Sequence, residues 1–255
     1  MSTSSVLLEK DGGLARMTLD HPPLNVLDIP MMEEMADVLG GVAADPDVSV
    51  LVVTGAGRAF CAGVDVADHT ADRVSKMLGV FHAVIERIRA LPVPVVAAVN
   101  GAALGGGCEL LLAADIVLAR SGAKIGQPEI RLGVFPPVAA VLMPRLTGLQ
   151  ATMDLILSGR TLRAEEAYEL GLVGRVIPAD DFEREVEAYV KGLSSLSAPV
   201  LRLTKRVVLE GLGVPVGTAM KQAESLYLNE LMALDDPHEG IAAFVENRPP
   251  TWKGA

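Results

Sequence analysis

Asn100-Gly101-Ala102-Ala103-Leu104-Gly105-Gly106-Gly107-Cys108-Glu109-Leu110-Leu111-Leu112 is the stretch that decides the fold of this chain. A buried strand, Val95–Val99, runs into it, Gly101 ends that strand, and the glycines open an apolar helix spanning Leu104–Ala113. Three consecutive glycines at a helix start leave N–H groups without intrahelical partners, with the positive end of the helix dipole behind them. Such a cradle suits an anion or an anion-like transition state. Tight helix packing is the competing explanation. The run is not a P-loop, since no Gly-Lys-Ser/Thr follows, nor a dinucleotide fingerprint, since its glycines are contiguous. Glu109 lies inside it, and Glu129 sits 20 positions later in the apolar turn Ile125-Gly126-Gln127-Pro128-Glu129-Ile130. Acids are seldom buried without a partner or a task. Two of them near a glycine-rich backbone point to a general acid/base pair beside an anion-stabilising cradle, with helix-capping or ion-paired glutamates as the plainer alternative.

Working outward, Val6–Leu8 and Ala15–Leu19 flank Asp11-Gly12-Gly13, a hairpin signal. Met31–Val42 has helical spacing, Val48–Val53 reads as a buried strand, and Asp72–Ala90 reads as an amphipathic helix with Val74, Leu78, Phe81, Ile85 and Ile88 on one face. Arg58–Val66 is a strand-to-helix turn of small residues in which Gly63 lets the backbone approach a ligand. Asp115–Ala119 is a further strand. Strands alternating with helices give an α/β class with a period near forty residues and no internal sequence repeat. Beyond Val173–Pro178 only helices are expected: Asp181–Leu193, Pro199–Leu209, Pro215–Leu234 and His238–Asn247. The expected division is a catalytic core over residues 1–196 and a helical appendage over 197–255 whose apolar stripes cover another surface, their own or another subunit's.

Composition excludes several classes. A net charge of −10 gives no long-range attraction to phosphate backbones, so nucleic acid is not an expected partner. Two cysteines, Cys61 and Cys108, in glycine-flanked apolar settings read as free buried thiols of a cytoplasmic protein, with a bridge between them as the alternative. The four histidines (His21, His69, His82, His238) are scattered, with no metal-ligand spacing. His82, at helical spacing beside Phe81, reads as a packed or surface histidine and not a base. The N-terminal residues lack a secretory signal, and the apolar windows are too short to cross a bilayer.

Taken together, Phe60-Cys61-Ala62-Gly63-Val64-Asp65, the Asn100–Leu110 stretch, Asp115-Ile116, Ile125–Ile130 with Leu132-Gly133, Leu157-Ser158-Gly159, Ala164-Glu165-Glu166-Ala167, Gly171-Leu172-Val173 and Glu239–Phe244 resemble the crotonase superfamily of enoyl-CoA hydratases and isomerases over nearly the whole chain. The resemblance implies a crotonase-like ββα spiral core with a C-terminal helical trimerisation region, and a homo-oligomer, trimer or dimer of trimers. It implies an oxyanion hole formed by the backbone N–H groups of Val64 and Gly106, and Glu109 and Glu129 as the catalytic acids. Glu109 would hold and deprotonate water while Glu129 delivers a proton to the α-carbon. The activity implied is hydration of an α,β-unsaturated acyl-CoA, with no metal or redox cofactor, since coenzyme A is part of the substrate. Ala62, Asp65, Val66, Phe135 and Pro137 are the implied substrate contacts, and Phe244, with Arg248 standing in for the family's usual lysine (Asn247 occupies that place here), the implied CoA contacts from a neighbouring subunit.

One departure is plain. Where such hydratases tend to carry Pro-Gly-x-Gly-Gly, this chain has Pro136-Pro137-Val138-Ala139-Ala140, expected as a stiffened loop adding apolar bulk at the acyl pocket. No acid stands in Val134–Ala140, which favours hydration over a carboxylate nucleophile. Gly126–Ile130 leading into Gly133-Val134-Phe135, together with Val66-Ala67-Asp68-His69, resembles the cyclic dienoyl-CoA hydratases, while a linear enoyl chain stays open. A double-bond isomerase and a non-catalytic RNA-binding member of the superfamily are the alternatives. The second is opposed by the acidic charge and the lack of a Lys/Arg stripe.

Overall fold

The computed structural model describes residues 4–254. Strands β1 (Val6–Asp11) and β2 (Leu14–Leu19) form the expected hairpin, and helix α1 (Ile29–Ala44) follows, capped by the Asp28 carboxylate on the Met31 N–H. From there two strands and a helix recur. The first unit is β3 (Val50–Gly55), β4 (Ala59–Cys61) and α2 (Val74–Ala90). The second is β5 (Val95–Val99), β6 (Ala102–Leu104) and α3 (Gly106–Ala113), and the third β7 (Ile116–Arg120), β8 (Lys124–Gly126) and α4 (Pro137–Thr147). Then come α5 (Leu149–Ser158), β9 (Thr161–Arg163), α6 (Ala164–Glu169) and β10 (Arg175–Ile177). The first strand of each unit joins a six-stranded sheet of order β1-β2-β3-β5-β7-β10, and the second joins a four-stranded sheet of order β4-β6-β8-β9. All neighbours run parallel except β1–β2 and β8–β9. This is the ββα repetition expected from the resemblance. Its spacing is uneven, because α2 has 17 residues and α3 only 8.

The six-stranded sheet is covered on both faces, which is why β3 and β5 read as unbroken apolar runs. Val50 and Val52 of β3 pack with Val96, Ala98 and Leu118 against Phe182, Val186 and Val190 of α7 (Phe182–Ser194). Leu51 and Val53 point the other way, into a core shared with Met17, Leu19, Ala97, Val99 and helices α1 and α2. On α2, Met77, Phe81, Val84, Ile85 and Ile88 are buried along one stripe. Each such side chain contributes roughly 1.5–3 kcal/mol by leaving water.

Two expectations are corrected. Leu104, read as the first residue of the glycine helix, is the last residue of strand β6, and α3 starts only at Gly106. The stretch from Pro137 is not a loop but the first turn of α4, with Pro137 at a position where a missing N–H costs nothing. The small sheet's strands have three residues each, too short for a period of two to show.

Past Ser197 the chain is helical: α8 (Ala198–Gly211), α9 (Val216–Asn229) and α10 (Asp235–Val245). Helix α8 is tied to the sheets by Lys205, whose ammonium lies 2.6 Å from Asp115 and donates to the Val93 carbonyl at 3.0 Å. Val216, Met220, Ile241, Phe244 and Val245 leave apolar side chains of α9 and α10 exposed. Among the described residues no helix is long and apolar enough to cross a membrane.

Candidate active site

Three adjacent parallel strands of the small sheet, β4, β6 and β8, end side by side, and each delivers part of one site. Ala103 pairs with Cys61 on one side and with Ile125 on the other. Ligands of open α/β sheets commonly sit beyond the carboxyl ends of such strands.

Beyond β4, Gly63 takes φ 120°, a conformation that favours glycine. The bonds Leu27 N–H to Gly63 C=O (2.9 Å) and Asp65 N–H to Leu27 C=O (2.8 Å) clamp the chain on either side of Val64. Beyond β6, the Gly105 N–H donates to Gly126 C=O (2.9 Å), and the Glu109 N–H closes the first helical turn onto Gly105 C=O (2.9 Å). Between these bonded neighbours, the N–H groups of Val64 and Gly106 donate to no protein acceptor among the described residues. A Cβ placed on Gly106 would stand 3.4 Å from the Val64 nitrogen, so the two amides are neighbours. Gly107 permits the approach: its added Cβ would fall 2.1 Å from the Cys61 carbonyl oxygen.

The first turn of α3 carries Glu109 inward, only 4% exposed, where its Oε1 accepts the Ala139 N–H of α4 at 2.8 Å. The 3-10 turn Glu129–Leu132 beyond β8 presents the second acid, and its Oε1 lies 2.9 Å from the position of a Cβ on Gly105. Burial pushes the Glu109 carboxyl up to about 7, the Ala139 N–H opposing and the Glu129 charge adding to the rise. Burial likewise pushes Glu129 up to about 7. The pair is thus poised to carry one proton near neutral pH. Gln127, fully buried, has a carboxamide that donates to both Glu129 oxygens (2.8 and 3.1 Å) when its nitrogen is turned toward them. Sequence reasoning quoted Gln127 without giving it a role. The signal was an amide two residues ahead of an acid in an apolar turn.

Both acids and both undonated amides open into one cavity of about 380 Å³. Ala62, Val66, Phe135 and Pro137 line it, with Val74, Met77, Leu78 and Phe81 of α2 also on its wall. Asp65 does not line it; its carboxylate caps the next turn by accepting the Ala67 N–H at 2.9 Å. Phe244 and Arg248 lie outside it. Phe244 is exposed on α10, and the Arg248 guanidinium is engaged by both Glu239 oxygens (2.6 and 2.9 Å) and by Glu246 (2.6 Å), which holds Glu239 down to about 2. His82 does not line the cavity, whereas His69, given no role from sequence, does. A second cavity, about 310 Å³ around Asp115 and Arg175, contains none of these groups. Cys61 and Cys108 are buried free thiols that burial holds protonated, with the Cys61 thiol pushed up to about 12.

Comparison with known proteins gives the same assignment from a different direction. The family model described as "Enoyl-CoA hydratase/isomerase" matches residues 9–255. A Mycobacterium tuberculosis protein named "Probable enoyl-CoA hydratase echA8" is 38% identical over 99% of both chains. The cyclohexa-1,5-dienecarbonyl-CoA hydratase of Thauera aromatica is 34% identical over 99% of this chain and 97% of its own length. The crystal structure of an enoyl-CoA hydratase from Bacillus anthracis superposes with a TM-score of 0.94 at 31% identity, covering 98% of this chain and all of the other. The chain, with its ββα spiral and its paired glutamates, belongs to the enoyl-CoA hydratase/isomerase family, the crotonase fold.

Proposed function

We propose that this chain adds water across the double bond of a 2-enoyl-CoA, or removes it, with coenzyme A entering only as part of the substrate. The observation that carries this reading is the convergence of two acids and two undonated amides on one cavity. The thioester oxygen accepts the Val64 and Gly106 N–H groups. Ionised Glu109 takes a proton from water, whose oxygen bonds to the β-carbon. The alkene electron pair moves toward the carbonyl, and the enolate-like oxygen is stabilised by the two amides. Protonated Glu129 then gives its proton to the α-carbon. The pair starts and ends with one proton, moved from Glu129 to Glu109, and water returns it to the starting arrangement.

Because the rate needs one proton on the pair, kcat/KM is expected to be bell-shaped. It falls below neutral pH as both acids become protonated and above it as both ionise, with limbs on either side of about 7. A flat profile between pH 5 and 9 would contradict the assigned roles. Gly106→Ala is expected to lower turnover roughly a hundredfold, because its Cβ meets Val64 Cγ2 at 2.7 Å and crowds the oxyanion position. Thermal unfolding of that variant should shift less than where an added Cβ meets backbone, since its nearest contacts are the side-chain atoms Val64 Cγ2 and Phe81 Cζ.

The absence of an acid in Val134–Ala140 favours hydration over a carboxylate nucleophile, while a double-bond isomerase shuttling a proton on one glutamate is separated by substrate. A ring-shaped acyl group is a second reading, favoured by the apolar wall of Phe81, Phe135, Pro136 and Pro137 and by the likeness to the Thauera enzyme. The exposed apolar residues of α9 and α10 support assembly into a trimer or hexamer, which light scattering measures. The deciding experiment is a panel of crotonyl-CoA, longer linear 2-enoyl-CoAs, a cyclohexadiene-carbonyl-CoA and a 3-enoyl-CoA, run in labelled water. Hydrated product from the 2-enoyl or cyclic thioesters is the expected result. A 2-enoyl product from the 3-enoyl-CoA with no hydration of any substrate would instead make the chain an isomerase.

A further inference from the structure

Apart from Glu109 and Glu129, every side chain lining the cavity is apolar except His69. The turn that carries it, Val66–His69, is firmly held. Buried Asp68 accepts the Ile29 N–H at 3.0 Å and pairs with Arg73 at 2.6 Å, and Asp65 caps the start of the turn. The His69 ring is oriented by its Nδ1, 2.9 Å from the Asp65 carbonyl oxygen. A carbonyl oxygen only accepts, so Nδ1 carries the proton, and in the neutral ring Nε2 is left as an acceptor. Among the described residues Nε2 has no partner.

A plain hydrocarbon acyl group in this cavity would strip water from Nε2 and return nothing, which leaves an acceptor unsatisfied. An acyl hydroxyl would give it a donor. We propose, on the hydratase reading above, that His69 is a specificity-determining residue whose Nε2 accepts a hydrogen bond from a hydroxyl on the acyl group beyond the β-carbon, so that the substrate class is hydroxylated enoyl-CoA. The hydroxyl is either on an aliphatic chain or on a ring.

The test compares matched pairs: 6-hydroxyhex-2-enoyl-CoA and 5-hydroxyhex-2-enoyl-CoA against hex-2-enoyl-CoA, and 4-hydroxycinnamoyl-CoA against cinnamoyl-CoA. Wild-type kcat/KM should favour at least one hydroxylated member by about tenfold or more. That preference should fall to within about twofold of unity in His69→Leu, with His69→Met made beside it in case the branched side chain disturbs the turn. The aliphatic and aromatic arms identify which kind of hydroxyl is read. Ratios near one for all pairs in the wild type overturn the proposal, as does a preference that survives both substitutions. Calorimetric binding of the saturated analogues, 6-hydroxyhexanoyl-CoA, 5-hydroxyhexanoyl-CoA and 3-(4-hydroxyphenyl)propanoyl-CoA against hexanoyl-CoA and 3-phenylpropanoyl-CoA, makes the same comparison without turnover. A binding preference lost on substitution, with no hydration of any enoyl-CoA, sinks the hydratase reading and keeps the role of His69.

Discussion

Glu109→Gln is expected to lower turnover by at least about a hundredfold while the protein stays folded, and Glu129→Gln to do the same. Glutamine keeps the size of the side chain and an oxygen that can accept the Ala139 N–H, so the contact between α3 and α4 survives. What is lost is the ability to take a proton from water. Stability should move the other way. The Glu109 carboxyl is raised from its ordinary 4.5 to about 7, so the folded state holds this proton more tightly than the unfolded chain does. That contribution is complete below the ordinary value and fades as pH climbs to about 7, above which the buried charge is a burden. The amide variant should therefore match or exceed the wild type in thermal stability at pH 8, by on the order of 2 kcal/mol, and lose that advantage near pH 5. Kinetics and calorimetry at the two pH values check both halves. Near-normal turnover in either variant would remove that glutamate from the mechanism.

Gly107→Ala should cost much stability. Its Cβ would lie 2.1 Å from the Cys61 carbonyl oxygen, 2.8 Å from its carbon and 2.9 Å from its Cβ. None of these is the free end of a flexible side chain, and Cys61 is pinned by the pairing of β4 with β6. Relief requires the strand and helix to part, so about 3 kcal/mol or more is expected, with a matching fall in activity. Gly79→Ala in α2 is the control. Nothing stands within 4 Å of its added Cβ, and the same substitution there should stabilise by roughly 0.5–1 kcal/mol. Chemical denaturation of both variants measures the contrast, and equal midpoints would contradict the packing argument.

The large elements were legible because each carries a long signal: unbroken apolar runs in the buried strands β3 and β5, and the helical stripe on α2 through Phe81, Ile85 and Ile88. The two acids were legible because carboxylates in apolar surroundings contradict their own solvation preference. The small sheet was not, since three residues of Ala59–Cys61 or Lys124–Gly126 carry too little pattern to show pairing that is set by distant segments. That sheet is what makes the site, so the residues were readable before their arrangement was. Pro136-Pro137 misled in the same way. Prolines that look like a stiff loop instead begin a helix, and that helix supplies the Ala139 N–H to Glu109. His69 was quoted only within the Val66–His69 resemblance and given no role, because its meaning lies in a ring nitrogen bonded to the Asp65 carbonyl and in a cavity assembled from segments distant in the chain.

The proton-moving groups and the wall that receives the acyl chain are anchored in different parts of the molecule. Glu109, Glu129, Val64 and Gly106 hang from the ends of three hydrogen-bonded strands, whereas Val74, Met77 and Leu78 sit on a helix and Val134 and Phe135 on a connecting segment. Repertoire can therefore drift without touching reactivity: a library randomised at those five positions should yield clones that accept new thioesters while keeping the parent's pH optimum.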